Sequence, residues 1–236
     1  MNTFSHPYVK PYEEADKFFL DKREFLDGGG SYMKYIFLKE IKKFNKSFDC
    51  GFEWCSGLGE IGLKLLEKGI IKRLVLADIN KEAIEASIEI TKRLGLQDKV
   101  KHYVSDGLKN IPHTEKFDLV FGNPPNYFNV QKDHHIGNKV LFDLRPNDRG
   151  WETHYNFYNN INKFLNKNAL LFIQEVDIFK KLVYIQDDII PYDIRPEEPI
   201  IPFIKMITEN NLKILDIISI DKIYPDIDQH FLLITN

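Results

Sequence analysis

The feature that most constrains the fold is a regular alternation of short apolar runs and amphipathic segments from residue 31 onward. Apolar runs of strand length occur at 49–57, 73–79, 100–107, 117–123 and 169–176. Helical spacing or helix-capping residues mark 32–44, 60–69, 80–95, 154–165 and 200–210. Strands that alternate with helices of this length are typical of a parallel sheet with helices on both faces.

The end of the chain adds two more predicted strands, 213–221 and 228–235. They are separated by "KIYPDI", which is short enough for an antiparallel hairpin. The sequence therefore predicts an α/β fold with a doubly wound, mostly parallel, seven-stranded sheet whose last strand is antiparallel. Residues 177–199 are predicted to form a loop.

The composition suits one large domain, because the chain has 236 residues and 43% of them are hydrophobic. We assign residues 31–236 to this domain and residues 1–30 to an N-terminal arm or lid, with a helix near 13–26. The formal net charge of −3 disfavours a protein that wraps a long nucleic acid, which usually carries a basic excess. A short RNA partner stays possible.

The sequence also favours a cytoplasmic protein. No apolar run approaches the roughly 20 residues needed to cross a bilayer, and the N-terminus lacks a signal-peptide layout. Cys50 and Cys55 lie about 16 Å apart along one predicted strand, at roughly 3.3 Å per residue, which is too far for a disulfide. We expect both to be thiols.

A glycine motif follows the first strand. "EWCSGLGEIG" contains Gly57, Gly59 and Gly62 in the pattern G-x-G-x-x-G, and Asp78 lies 21 residues beyond Gly57 at the end of the second strand. This layout is typical of sites that bind a nucleoside ribose through an acidic side chain. The alternative is a tight strand–helix turn with a surface acid.

Two carboxylates next to this motif indicate which kind of nucleoside-containing ligand the site could bind. Glu53 precedes the glycines and Glu60 opens the following helix, so both would repel a pyrophosphate. Glu53 suits a cationic ligand such as S-adenosylmethionine (SAM), which has an ammonium, a sulfonium and no phosphate. Glu60 also complements the helix dipole. Asp106, before Gly107 in "SDG", could accept from an adenine amino group or simply form a turn.

"FGNPPN" ends the fourth predicted strand. The prolines have a fixed φ and no N–H group, so the segment is rigid and rich in acceptors. The side-chain oxygen of Asn123 and the carbonyl of Pro124 form a pair suited to hold an –NH2 group. The alternative is that these residues only provide a stiff exit from the strand.

With its motifs in this order, the sequence resembles class I SAM-dependent methyltransferases of the Asn-Pro-Pro-aromatic group. That group includes adenine amino methyltransferases and glutamine methyltransferases of the HemK/PrmC type. The resemblance implies that four residues line the methionine end of SAM: Glu53, Cys55, Gly57 and Gly59. It further implies that Asp78 holds the ribose and that Ile79, Asp106 and Gly107 lie beside the adenine. Asn123 and Pro124 would bind the target nitrogen.

One departure from the group concerns the substrate. Asn126 stands where the group usually has an aromatic residue, and Tyr127 or Phe128 could replace it. The long segment 126–155 follows, in which Asp133 or His134 could contact substrate. Its histidines, His134, His135 and His154, lack a further acid or cysteine at ligand spacing, so no metal is expected.

The sequence thus predicts a SAM-dependent N-methyltransferase that acts on an amide or amino nitrogen of a protein or small molecule. One alternative is an adenine amino (N6-type) methyltransferase of RNA or DNA. A second is a SAM-binding module without turnover, and a third is a dinucleotide oxidoreductase, which Glu53 disfavours.

Overall fold

The computed structural model describes residues 30–125, 129–130, 148–177, 182–185, 188–193, 201–224 and 227–236. Five α-helices lie in these residues: α1 (Gly30–Lys42), α2 (Glu60–Glu67), α3 (Lys81–Arg93), α4 (Glu152–Ile161) and α5 (Ile201–Glu209). The predicted helix near 13–26 lies outside the described residues.

Ten strands are formed in the same residues. They are β1 (Phe48–Trp54), β2 (Ile71–Asp78), β3 (Val100–Val104), β4 (Phe117–Gly122), β5 (Asn129–Val130), β6 (Leu165–Asp177), β7 (Leu182–Ile185), β8 (Asp188–Asp193), β9 (Lys213–Tyr224) and β10 (Ile227–Thr235).

Seven of these strands form the main sheet, in the order β3-β2-β1-β4-β6-β10-β9. Strands β1 to β4 and β6 pair in parallel, whereas β10 is antiparallel to both β6 and β9. The predicted seven-stranded, mostly parallel sheet with a reversed last strand is confirmed. The order changes direction beside β1, so the carboxyl ends of β1 and β4 flank the crevice where ligands of open α/β sheets bind.

Helices cover both faces of the sheet, which makes the fold doubly wound. On one face, α1, α2 and α3 bury Phe37, Leu63 and Ile90 against strand residues such as Phe121. On the other face, α4 and α5 bury an equally apolar layer against β1, β4 and β6 that includes Trp54, Phe157, Ile161, Phe203 and Ile207. A strand buried on both faces reads as a continuous apolar run, which explains the character of "FDLVFG".

The prediction of a loop over 177–199 is wrong for part of that segment. Strands β5, β8 and β7 form a small three-stranded antiparallel sheet. The sequence of β8 contains Pro191 and ends with Asp193, residues that are depleted in strands, and this hid the strand signal of its isoleucines. No helix within the described part of the chain is long and apolar enough to span a membrane.

Candidate functional site

The carboxyl ends of four neighbouring strands bring the predicted site residues to one edge of the sheet. Trp54 of β1 is in register with Ala77 of β2 and with Gly122 of β4. Asp78 of β2 pairs with Val104 of β3. Asp78 is the last residue of β2, and the glycine turn, Asp106 and Asn123 follow the ends of β1, β3 and β4. Residues far apart in sequence therefore meet at a single crevice.

The glycine turn runs from Cys55 to Gly59 and leads directly into α2. Gly57 and Gly59 have φ angles of 50° and 78°, in the left-handed region that glycine adopts without a side-chain clash. A Cβ on Gly59 would lie 2.5 Å from Cδ1 of Leu76, so only glycine fits there. Cys55 adopts a similar φ of 54°, in a region that is uncommon for residues with a side chain. Both cysteines are free thiols, as predicted.

Glu53 is buried beneath this turn and contacts the start of α2. Its Oε2 accepts a hydrogen bond of 2.7 Å from the amide of Gly62, and its side chain is almost fully buried. Burial raises the pKa of the Glu53 carboxyl well above its usual range, and the Gly62 amide only partly offsets this. The side chain of Glu53 therefore occupies an amide at the helix terminus where a dinucleotide fold would bind pyrophosphate. Contact of Glu53 with a ligand stays a prediction.

Glu60, the other acid of the motif, pairs with a cation. Its Oε2 lies 2.8 Å from the Nζ of Lys34 on α1, and both side chains are buried. The pair joins α1 to the first turn of α2. The negative charge of Glu60 is thus balanced within the fold, in agreement with a structural role at the helix terminus.

Asp78 ties the glycine turn to the end of β2. Its Oδ2 accepts from the amide of Gly57 at 2.7 Å, and its Oδ1 accepts from the amide of Asn80 at 2.8 Å. Burial raises the pKa of Asp78 while these two amides act in the opposite direction. Asp78 as a residue is only partly buried, and it lies at the end of β2, where a ribose ligand was predicted.

Apolar side chains next to Asp78 are exposed at the same edge. Ile79 is 59% exposed and Val104, at the end of β3, is 41% exposed. Exposed branched side chains at the mouth of a crevice provide a surface on which a flat ring can lie. Ile79 was predicted from the sequence to lie beside adenine, and Val104 was missed because it belongs to an alternating strand pattern.

Asp106 and Gly107 form the turn after β3. Asp106 pairs with Lys109 three residues later, and Gly107 has a φ of 55°. Asp106 is partly exposed. The predicted turn is therefore present, and acceptance of a hydrogen bond from an adenine amino group stays a prediction.

Asn123 and Pro124 follow β4 at the centre of this edge. Gly122 is in register with Trp54, and a Cβ on it would lie 2.7 Å from the Trp54 carbonyl oxygen. This close approach brings the strand exit that carries Asn123 next to the glycine turn after β1. Asn123 is partly exposed and Pro124 is buried.

Several predicted substrate residues are not described. Asn126, Tyr127, Phe128, Asp133 and His134 lie outside the described residues. Within the residues that are described, no group of three or more histidine, cysteine or acidic side chains is arranged to hold a metal ion.

A buried polar cluster near the same edge was missed from the sequence. His154 of α4 lies between Asp148 and Glu175 of β6, and all three are at most 1% exposed. Burial disfavours the imidazolium, but the charge of Glu175 and the hydrogen bond to Asp148 outweigh burial and raise the pKa of His154 to about 9. Glu175 is distant from the other two in sequence, so no local motif marked the cluster.

Comparisons with known proteins agree with this geometry. The chain matches the family described as "Methyltransferase small domain" over residues 23–143, which is just over half of its length. It is 36% identical over 94 residues to a release factor glutamine methyltransferase of Clostridium acetobutylicum, a match that covers 39% of this chain and 30% of that protein. A ribosomal protein uL3 glutamine methyltransferase of Francisella tularensis is 26% identical over 123 residues, covering 51% of this chain and 39% of the relative.

The matched segments thus span less than half the length of either relative. Among solved structures, Methanocaldococcus jannaschii Trm5 in complex with adenosine superposes with a TM-score of 0.54 at 13% identity. That match covers 86% of this chain and 48% of the other. At such identity it supports the Rossmann-like methyltransferase fold.

Proposed function

We propose that this chain, which belongs to the methyltransferase small domain family, transfers the methyl group of SAM to an amide or amino nitrogen. The sulfonium of SAM gives up its methyl group, the lone pair of the target nitrogen forms the new bond, and S-adenosylhomocysteine leaves. The nitrogen then releases one proton to water. SAM itself supplies the activated methyl group, so the task of the chain is to hold and align the two reactants.

The cofactor assignment is supported by the charges around the glycine turn. Glu53 accepts from an amide of the first turn of α2, which leaves that terminus unsuited to the pyrophosphate of a dinucleotide. The resemblance would place the methionine end of SAM beside Gly57 and Gly59, the ribose at Asp78, and the adenine against Ile79 with Asp106 in reach of its amino group. A ligand without phosphates and with two cationic groups fits these residues.

The observation that carries the proposed reaction is the register between Trp54 and Gly122. It brings the Asn123–Pro124 tip beside the turn that would hold the sulfonium end of SAM. Two acceptor oxygens there would bind both protons of an –NH2 group and fix its orientation. Such hydrogen bonds also push electron density back to an amide or aromatic amino nitrogen, whose lone pair is otherwise delocalised.

We favour a protein acceptor, or a small molecule with an amide or amino nitrogen, over adenine. The curated relatives carry the names of glutamine methyltransferases of a release factor and of a ribosomal protein. A net charge of −3 also gives little attraction to a polyanion. Methylation of an adenine amino group in RNA or DNA is the competing outcome.

Labelling tests the acceptor directly. The full chain is incubated with methyl-labelled SAM and a cell lysate that has been fractionated into protein, nucleic acid and metabolites. Label in protein or metabolites, stable to base as expected for an N-methyl amide, supports the proposal. Label in nucleic acid favours the adenine alternative, and SAM binding without any label favours a module without turnover.

Two variants make the test specific to the tip. Asn123→Ala is expected to lower labelling about 100-fold or more, because positioning of the nitrogen is lost, while SAM affinity changes less than about threefold. Asn159→Ala, at an exposed position of α4, is the control and should label normally. Thermal shift with SAM against NAD distinguishes the oxidoreductase alternative, since stabilisation by NAD alone would contradict the cofactor assignment.

A further inference from the structure

A charged cluster lies in the interior next to the tip, and the proposed reaction does not use it. It consists of Asp148, His154 and Glu175, whose exposed fractions are 1%, 0% and 0%. The imidazole of His154 stands between the two carboxylates, with Nδ1 directed at one and Nε2 at the other. Buried charges are costly unless they are paired, so this arrangement requires an explanation.

On one side, Asp148 fixes both the helix and the imidazole. Its Oδ1 accepts from the amide of Thr153 at 2.8 Å, and its Oδ2 accepts from the amide of His154 at 3.1 Å. The same Oδ2 lies 2.5 Å from Nδ1 of His154. Asp148 therefore caps the first turn of α4 and sets the orientation of the ring.

On the other side, the ring reaches the end of β6. Its Nε2 lies 3.2 Å from Oε1 of Glu175, an ion-pair distance at which the angles are not those of a hydrogen bond. Among the described residues, neither Glu175 oxygen has a hydrogen-bond partner, and the buried Tyr158 hydroxyl has none either. The ion pair with His154 is thus the main stabilising interaction of the Glu175 carboxylate within the described residues.

The cluster touches both strands that flank β4. The His154 ring packs edge-on against Trp54 at 5.2 Å between centroids, and Trp54 is in register with Gly122. On the opposite side of β4, Ile173 of β6 is in register with the same Gly122. Glu175 lies two residues beyond Ile173, as Pro124 lies two residues beyond Gly122. His154 therefore joins the ends of β1 and β6 on either side of the strand that carries the tip.

We propose that His154 is a positioning residue for methyl transfer, whose contact with Glu175 through Nε2 holds the ends of β1 and β6 at the spacing that places the oxygens of Asn123 and Pro124. It does so from the interior, without contact with SAM or the acceptor. The inference rests on the proposed function for its effect on turnover. Its structural part, the placement of Asn123, stands without that function.

The two sides of the ring can be separated by substitution in the full chain. His154→Gln puts an amide nitrogen near the place of Nε2 and keeps a donor toward Glu175. His154→Asn reproduces only the Nδ1 side and loses the link to β6. Tyr158→Phe is the control for a change in the same layer, because it removes a buried hydroxyl that has no hydrogen-bond partner in the described part of the chain.

The first readout is the side-chain amide resonance of Asn123 in ¹⁵N-asparagine-labelled protein with SAM bound, assigned by its loss in Asn123→Ala. We expect His154→Asn to shift this resonance, and His154→Gln and Tyr158→Phe to leave it in place. An unshifted resonance in folded His154→Asn would overturn the proposal. If that variant does not fold, Glu175→Gln tests the same link, and an unshifted Asn123 resonance there has the same meaning.

The second readout separates positioning from a general loss of structure. Once an acceptor is known, His154→Asn should lower kcat by about 10- to 100-fold, as expected for a small misplacement of reacting atoms, with SAM affinity unchanged. Equal losses in His154→Asn and His154→Gln would overturn the proposal. If no acceptor is found, the proposed function fails, and the Asn123 resonance still decides whether His154 positions the tip.

Discussion

The backbone of Gly122 lies directly against the carbonyl oxygen of Trp54, so that a Cβ at position 122 would come within 2.7 Å of that oxygen. The neighbouring Cβ of Trp54 would be 3.2 Å away. Backbone atoms of two paired strands cannot move aside as a flexible side chain can. The absence of a side chain at Gly122 therefore sets how closely the Asn123–Pro124 tip approaches the glycine turn.

We predict that Gly122→Ala separates β1 from β4 and destabilises the chain by about 1–3 kcal/mol, the usual cost of an overpacked interior. SAM affinity should fall with it, because the turn after β1 shifts. Urea unfolding and calorimetric titration with SAM measure the two effects. Gly95→Ala is the control, since a Cβ there meets no atom of the described residues within 4 Å. Its left-handed φ lowers the stability of that variant by about 1 kcal/mol. Equal SAM affinity in both variants would contradict the prediction.

The second prediction concerns Glu53 and separates the effect of its charge on stability from the effect of its hydrogen bond. Burial raises the pKa of Glu53, so its contribution to folding is greatest at low pH and declines as the pH rises through the folded value. Glu53→Gln removes the charge and can keep an oxygen toward the amide of Gly62. We expect it to be at least as stable as the wild type at pH 7.

The matched variant Glu53→Ala leaves the Gly62 amide without this acceptor and should lower the free energy of unfolding by about 1–3 kcal/mol. Urea unfolding at pH 5 and pH 7 compares the three proteins. If Glu53 also contacts a cationic ligand, Glu53→Gln binds SAM more weakly despite its stability. A Glu53→Gln protein that is as unstable as Glu53→Ala would show that the carboxylate charge itself holds α2 in place.

Replacement by asparagine is expected to affect SAM affinity and stability differently at Asp78 and at Asp106. Asp78 accepts from two backbone amides, those of Gly57 and Asn80. Asp78→Asn turns one acceptor oxygen into an –NH2 group that faces a donor, so the turn loosens and SAM affinity falls by about tenfold or more. Asp106→Asn only weakens a surface ion pair with Lys109. Such a pair contributes about 0–1 kcal/mol to the stability of the chain.

Titration calorimetry with SAM and urea unfolding of both aspartate variants check this contrast. A large loss of stability is expected only for Asp78→Asn. If Asp106→Asn also binds SAM at least tenfold more weakly while its stability is unchanged, the predicted contact with the adenine amino group gains support. Unchanged SAM binding by Asp78→Asn would refute the ribose assignment.

The fold was predictable because its signals are local. Asn80 accepts from the amides of Glu82 and Ala83 at the start of α3, as its position before a helical segment indicated. Gly59 occupies the turn that only glycine fits, and the late hairpin pairs as its short connection predicted. Each of these features depends on a few consecutive residues whose conformational preferences agree with the final structure.

The missed features depend on contacts between distant segments. His154 meets Asp148 six residues earlier but Glu175 only through the packing of α4 on β6, and an isolated histidine in a helical pattern carries no sign of that partner. Strand β8 has Pro191 within it and is recognised by its pairing with β5 and β7. Charge pairing in the interior and strand pairing at an edge follow from tertiary structure, which spacing along the chain does not specify.

The His154 cluster also predicts how stability depends on pH. Its pKa rises from an ordinary 6.5 to about 9 in the folded chain. The imidazolium therefore makes its full contribution to the free energy of unfolding below pH 6.5. This contribution is lost as the pH rises through about 9. At about 1.4 kcal/mol per pKa unit, the loss amounts to roughly 3 kcal/mol.

Two other groups near His154 or with a shifted pKa do not account for this decline. Burial lowers the pKa of His102 to about 4, so that residue changes its charge at lower pH. Burial and the nearby Glu175 raise the pKa of Tyr158 well above its usual range, so the phenol facing the cluster stays protonated. Urea unfolding from pH 6 to 9.5 should show a decline that is steeper in the wild type than in His154→Gln, which cannot titrate and retains only the smaller contributions of groups such as Glu53, whose pKa is also raised. Parallel declines in both proteins would mean that His154 is not charged in the folded chain.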